Sequence, residues 1–343
     1  MRKLLLVGLL LIPPLTGCKR LENFTFKTQV ETKLDLPAPV SVSAGNVAPV
    51  VVQPGQPRIA ILDVDGLILN TPFVGPLSVG ENPVALFREK LEAIAQDPCI
   101  KAVVLRINSH GGGVAACITM RHDLERFKER TRLPVVACLM DTAAGGAYYL
   151  ASAADHIVAG PATVTGGIGV VLNLFNLEDL MGLVNVRPEL IKSGTYTDIG
   201  GSHRFITAEE RKWLEAMAAD FHRQLIADIK RSRPNATDET NFDGRIFTSS
   251  QAHKRGLVDS IGDLDDAVSL AGQLGCPGLS VRPGVVLYRR NNDPARSIYA
   301  ITANVPLQGA GLFPSVPGID RAKLPTFLSA WQPEITMEKL GGK

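Results

Sequence analysis

From Arg58 onward the apolar residues alternate between two spacings, short continuous runs and runs repeating every three to four positions. Arg58–Asp65, RIAILDVD, is β-branched and apolar and is bounded by Pro57 and Gly66, which predicts a buried strand. Pro83–Gln96 places Val84, Leu86, Phe87, Leu91 and Ile94 at helical spacing. A strand at Lys101–Asn108, a glycine turn at Gly111–Gly113, a helix from Val114 to about Arg130 and a strand at Pro134–Met140 follow. Strand, helix, strand in this order predicts parallel strands joined by helical crossovers, an α/β fold. Further along, the pattern predicts a short helix after Gly145, strands at His156–Ala159 and Gly167–Leu172, a helix near Leu174–Met181 and a strand at Glu189–Lys192. Ala208–Arg231 is a long amphipathic helix whose stripe of Trp213, Met217, Phe221, Leu225 and Ile229 suits a core or a protomer interface. Helices at Ser249–Arg255 and Leu264–Leu274 close the pattern. Beyond Pro277 the chain is rich in Pro and Gly and reads as irregular, apart from one strand at Val285–Arg289.

The N-terminal segment has a different character. Arg2 and Lys3, an apolar run over Leu4–Ile12 and then Leu15-Thr16-Gly17-Cys18 read as a secretory signal, too short for a lasting membrane span. Its end resembles the bacterial lipobox, which implies lipidation of Cys18 and an anchored protein outside the cytoplasm, on the periplasmic side in a Gram-negative cell. The expected organisation is a signal peptide over 1–18, an extended tether over 19–57, one globular domain over 58–276 and a Pro/Gly-rich extension over 277–343.

Composition narrows the possible functions. The 36 basic and 34 acidic residues leave a net charge of +2, and no ladder of Lys or Arg interleaved with aromatics appears, so nothing points to nucleic acid. Besides Cys18 there are Cys99, Cys117, Cys138 and Cys276, without the paired short spacing of a zinc or redox site. No metal and no cofactor is expected. Cys117 and Cys138 lie in apolar segments and read as small core residues, although an exported protein could pair some of the four.

Five stretches, in order, resemble the signal peptide peptidase A (protease IV) family of the ClpP/crotonase superfamily. Leu105–Val114, LRINSHGGGV, is similar to the family's Leu-Arg-Ile-Asp-Ser-Pro-Gly-Gly-Gly. Asp141–Asp155, DTAAGGAYYLASAAD, resembles its nucleophile loop, Asp-x-Ala-Ala-Ser-Gly-Gly-Tyr-Tyr. Thr165–Val170 resembles Thr-Gly-Ser-Ile-Gly-Val, Ile191–Arg211 the segment carrying the general-base lysine, and Gly244–Asp266 the C-terminal signature. The resemblance implies a ClpP/crotonase-like fold of repeated β-β-α units, with parallel strands and flanking helices. It also implies serine-type proteolysis of signal peptides or membrane protein fragments.

In that chemistry a serine hydroxyl is activated by a lysine kept neutral by burial, and backbone N–H groups of glycine-rich turns hold the oxyanion. Gly111, Gly112, Gly113 and Gly146 are the positions matching that hole and the peptide groove. Both reacting side chains are replaced: alignment on Tyr148-Tyr149 puts Gly145 at the serine, and alignment on Gly194-Thr195-Tyr196 puts Thr197 at the lysine. Asn108 and His110 also depart from the family's Asp and Pro. The expectation is a membrane-anchored pseudoprotease that binds peptides or membrane protein segments, in a homo-oligomeric ring or a hetero-ring with an active paralogue. One alternative is an active serine endopeptidase with a relocated nucleophile, Ser109 and Ser152 being candidates with Lys192 as a base. Crotonase-type acyl-CoA chemistry is a remoter one.

Overall fold

The computed structural model describes residues 47–71, 73–75, 78–278, 282–290, 297–299 and 327–331. The expected signal peptide, Cys18 and the tether up to residue 46 lie outside them. In chain order the strands are β1 (Val47–Gln53), β2 (Arg58–Ile68), β3 (Phe73–Gly75), β4 (Ser78–Glu81), β5 (Ile100–Gly113), β6 (Val135–Ala144), β7 (His156–Ala159), β8 (Val164–Gly166), β9 (Ile246–Thr248), β10 (Ser260–Ile261), β11 (Gly284–Arg290) and β12 (Leu328–Ala330). The helices are α1 (Pro83–Gln96), α2 (Val114–Thr131), α3 (Gly146–Ala151), α4 (Glu178–Leu183), α5 (Ala208–Ser232), α6 (Ser249–Lys254) and α7 (Leu264–Gly275).

The main sheet runs β1-β11-β2-β5-β6-β7-β10, parallel from β11 to β10, with β1 antiparallel at its edge. Alternation along the strands explains the layers. Ala60, Leu62, Val103 and Leu105 face one side with Leu91 of α1, Leu124 and Phe127 of α2 and the whole of α3. Ile59, Ile61, Ala102 and Val104 face the other, against Leu264, Ala267, Val268 and Ala271 of α7. The fold is therefore α/β with a mostly parallel sheet covered on both faces, as the strand and helix order predicts.

Local chemistry starts the helices where the pattern does. Asn82 accepts from the Val84 and Ala85 N–H groups, with Pro83 in the first turn of α1. Thr207 and Glu210 close a capping box on α5. Among the described residues, no helix is long and apolar enough to cross a membrane.

The structure departs from expectation at several places. Val47–Gln53, read as tether, is a strand, because six of its residues register against β11. Gly111–Gly113, read as a turn, continues β5, since Gly111 and Gly112 pair with Leu67 and Ile68 of β2. Glu189–Lys192 forms no strand and is exposed, and Gly167–Leu172 forms only a single bridge at Val171. The strand expected at Val285–Arg289 is β11, placed inside the main sheet between β1 and β2, whereas β12, at the end of β5, comes from the part of the tail read as irregular. The stripe on α5 is divided: Leu225 and Ile229 are fully buried, whereas Trp213 and Met217 are exposed. Among the described residues, Cys99, Cys117, Cys138 and Cys276 form no disulfide, and burial pushes the Cys117 and Cys138 thiols up to about 12, as suits small core residues.

Candidate functional site

The end of β6 turns into α3 through a single residue, Gly145, at φ 57° and ψ −126°. Residues with a Cβ avoid this conformation, and a strained strand-to-helix turn of this kind is how several hydrolase folds present a nucleophile. The turn is pinned at both ends: the Gly145 N–H donates to the Gly166 carbonyl at 2.8 Å, and the Tyr149 N–H donates to the Gly145 carbonyl at 3.0 Å. Gly145 itself is buried.

Beneath the elbow, α3 is held by polar ties inside an apolar shell. The Tyr148 hydroxyl donates to the Leu257 carbonyl at 2.8 Å and the Tyr149 hydroxyl to Asp228 Oδ2 at 2.8 Å. Arg121, on α2 and 2% exposed, donates to the Tyr149 carbonyl at 2.7 Å, Ser152 Oγ at 2.6 Å and Ser232 Oγ at 3.0 Å, with its Nε on Glu125. This brace links α2, α3 and α5. The sequence reading did not find it, because an arginine within a helix rich in charges gives no sign of pointing inward.

The glycine end of β5 lies against the elbow. A Cβ added at Gly111 would stand 2.7 Å from the Gly146 nitrogen, so the two backbones approach as closely as glycine allows. Gly112 packs onto the backbone of Ile68, and Gly113 caps α2. Gly111, Gly145 and Gly146 thus form one crevice, and Gly112 and Gly113 its continuation along the sheet edge.

That crevice holds backbone from the tail. β12 runs antiparallel to β5, with Leu328 opposite Gly113, Ser329 opposite Gly112 and Ala330 opposite Gly111. On its other side Leu328 exchanges both backbone hydrogen bonds with Val171, at 2.8 and 2.9 Å. The Val114 N–H donates to the Phe327 carbonyl at 3.2 Å, and the Trp331 N–H to the His110 carbonyl at 2.9 Å. The Ser329 carbonyl points at the elbow. A Cβ at Gly145 would stand 2.6 Å from the Ser329 oxygen, 2.8 Å from its carbonyl carbon and 2.9 Å from Ala330 Cα, and one at Gly146 3.1 Å from that oxygen. The sequence reading missed this segment; the only signal was Phe327-Leu328-Ser329-Ala330-Trp331, an apolar island in a Pro-rich tail.

The other nominated groups are elsewhere or engaged. Thr197 is exposed, and its hydroxyl donates to the Gly194 carbonyl of its own turn at 3.1 Å. The same turn is tied by Lys192, whose Nζ donates to the Thr195 carbonyl at 2.9 Å and to Asp198 Oδ1 at 2.7 Å, and by Arg204, which bridges Asp198 and Glu210. Hydrogen bonds from Arg204 hold the Glu210 carboxyl down to about 2. Ser109 is fully buried; its hydroxyl donates to the Gly66 carbonyl at 2.5 Å and accepts from the Gly111 N–H at 3.0 Å. The Ser152 hydroxyl donates to the Tyr149 carbonyl at 2.8 Å and accepts from Arg121. Both serines are structural ties. Among the described residues no cluster of His, Cys, Asp and Glu could hold a metal ion.

A parallel α/β sheet that presents a strained strand-to-helix elbow beside a glycine-lined strand end is the frame of a peptidase-type, acyl-transfer protein. Residues 127–275 match peptidase family S49. The chain is 33% identical over 273 residues to the chloroplastic serine protease SPPA of Arabidopsis thaliana, covering 78% of this chain and 38% of that one. It is 30% identical over 219 residues to protease 4 of Salmonella typhi and 26% identical over 218 residues to protease 4 of Haemophilus influenzae. Those matches cover 63% of this chain in each case, and 34% and 35% of the relatives. With these motifs on this frame, the chain belongs to the signal peptide peptidase A family, and it spans little more than a third of the length of these relatives.

Proposed function

We propose that this family member is a non-cleaving peptide binder, anchored through a lipid on Cys18 outside the cytoplasm. The observation that carries the reading is the elbow: Gly145 adopts the conformation of a nucleophile turn, is buried and offers no side chain. The edge of β5 from Gly111 to Gly113 and the facing backbone of Val171 form a two-sided slot that an extended peptide fills by adding a strand. The ligands on this reading are peptides or membrane protein segments.

Assembly into a ring, of this chain alone or with an active paralogue, is part of the same proposal. It is supported by a run of exposed apolar residues from Phe175 to Met217, including Leu183, Val184, Phe205 and an Ile191 that is 98% exposed. In such a ring, a base on one protomer would serve the elbow of the next, and Thr197 supplies none. A relocated nucleophile gains no support, because Ser109 and Ser152 already spend their hydroxyls on buried partners.

The test is incubation of the residue 19–343 protein with casein, a signal-peptide substrate and a fluorophosphonate probe. No turnover and no labelling are expected, also in a variant whose β12 has been loosened by Leu328→Pro. Cleavage by either protein would overturn the reading. Gly145→Ser with Thr197→Lys is expected to return esterase activity only when β12 is loosened as well, since a Cβ at residue 145 and the Ser329 backbone cannot share the crevice.

A further inference from the structure

We infer that the slot is selective for a five-residue extended segment with a small central residue and bulky apolar flanks, and that Phe327–Trp331 of this chain is its resident, competing ligand. The inference rests on the peptide-binding reading above and adds the ligand's register and its regulation.

Backbone pairing supplies the attachment. The segment is bonded on both edges, to Gly111–Gly113 on one side and Val171 on the other, with further bonds to Val114 and His110 at its ends. Such pairing has no sequence preference, so selectivity must come from the side chains. The flanks have partners: the Phe327 ring meets Phe221 edge-on at 5.1 Å between centroids, and the Trp331 ring stacks on His110 at 5.9 Å and 18°. Leu328 is 8% exposed. At the centre, Ser329 is 1% exposed, so a longer side chain there would have to displace the groups that cover it. Its hydroxyl is buried and, among the described residues, has no hydrogen-bond partner. A buried hydroxyl without a partner weakens the complex relative to a methyl group. The pocket therefore suits alanine better than serine, and the resident segment is not the tightest ligand the slot can take, as a displaceable occupant requires.

Gly145 belongs to the same device. With a side chain at residue 145 the Ser329 backbone could not lie where it does, so the glycine that removes the nucleophile also admits the segment.

The experiment uses the full chain from residue 19 in three forms: wild type, Trp331→Ala, and Leu328→Pro with Trp331→Ala. Proline removes the N–H that Leu328 gives to Val171, and alanine removes the stack on His110. Amide hydrogen exchange at Val114 and Val171, whose N–H groups donate to the Phe327 and Leu328 carbonyls, reports occupancy, and the anisotropy of fluorescein-labelled Phe-Leu-Ser-Ala-Trp reports binding. Faster exchange at these amides alone is expected in the variants, with peptide affinity rising at least tenfold in the double variant and by less in Trp331→Ala. The Ala-centred peptide should bind about threefold more tightly than the Ser-centred one, and a Leu-centred peptide at least tenfold more weakly. Unchanged exchange in both variants, or equal affinity in wild type and double variant, would overturn the resident-ligand inference and leave peptide binding standing. Freed amides with no binding of any peptide would instead overturn the peptide-binding reading and this inference with it. Trp331→Ala, which cuts no main-chain bond, serves if the double variant does not fold.

Discussion

The elbow around Gly145 and the turn around Thr197, proposed above as the two halves of one lost catalytic pair, are built in opposite ways. The elbow is buried between β5, β6 and α3 and braced by Arg121, Tyr148 and Tyr149. The Thr197 turn is exposed and held by charges, with Lys192 and Arg204 on Asp198, and Arg204 again on Glu210. A turn embedded in a core stays in place because the core needs it, whatever its chemistry. A turn whose residues face outward over a base of ion pairs is held only from beneath, by carboxylates of Asp198 and Glu210 that are themselves buried.

That contrast can be tested from its strong side downward. Arg121→Ala leaves the Tyr149 carbonyl and the Ser152 and Ser232 hydroxyls short of a donor, and should cost about 4 kcal/mol in urea unfolding. Gly145→Ala forces a Cβ into a left-handed conformation and against Ser329, and should cost about 3 kcal/mol by the same measurement.

A third test uses pH. Burial raises the Asp259 carboxyl, but the Arg233 fork and the Ile157 N–H outweigh it, so the group lies below the usual carboxylate range. A carboxylate depressed on folding stabilises above its unfolded pKa, and that contribution is lost as pH falls through the folded one. Asp259→Asn should therefore lower stability by about 2 kcal/mol at pH 7 and flatten the loss of stability below about pH 4. Thr197→Ala, at the weak end, should change stability by less than about 0.5 kcal/mol. A larger effect of Thr197→Ala in the assembled state than in the monomer would show that a neighbouring protomer covers the turn.

The same contrast explains what could be read from the sequence. Strands such as Ile59–Leu62 and Val103–Leu105 announce themselves through continuous apolar runs, and the Gly111–Gly113 and Asp141–Asp155 motifs contain glycines that the structure brings close together. What escaped the reading depends on partners far away in sequence. Val47–Gln53 is a strand only because β11 lies beside it, and Leu328–Ala330 only because Gly111–Gly113 and Val171 leave a slot of its width. Glu189–Lys192 has a strand-like composition, but among the described residues no neighbour pairs with it. The Arg121 brace gives no sign in the sequence, because helical periodicity says which way a residue points but not which acceptors wait there.

β11 carries a consequence for how the chain acquires its fold. It sits between β1 and β2, although more than two hundred residues of sequence separate it from both. While the chain emerges from its N-terminal end, β2 can pair with β5 but has an open edge on its other side, and β1 has nothing to pair with. Both wait until residue 284 and beyond have been delivered. Folding should thus be completed late and slowly, as long-range parallel pairing requires, with an apolar strand edge exposed in the interval. A chain stalled short of β11 would be a ready substrate for holdase chaperones and for aggregation.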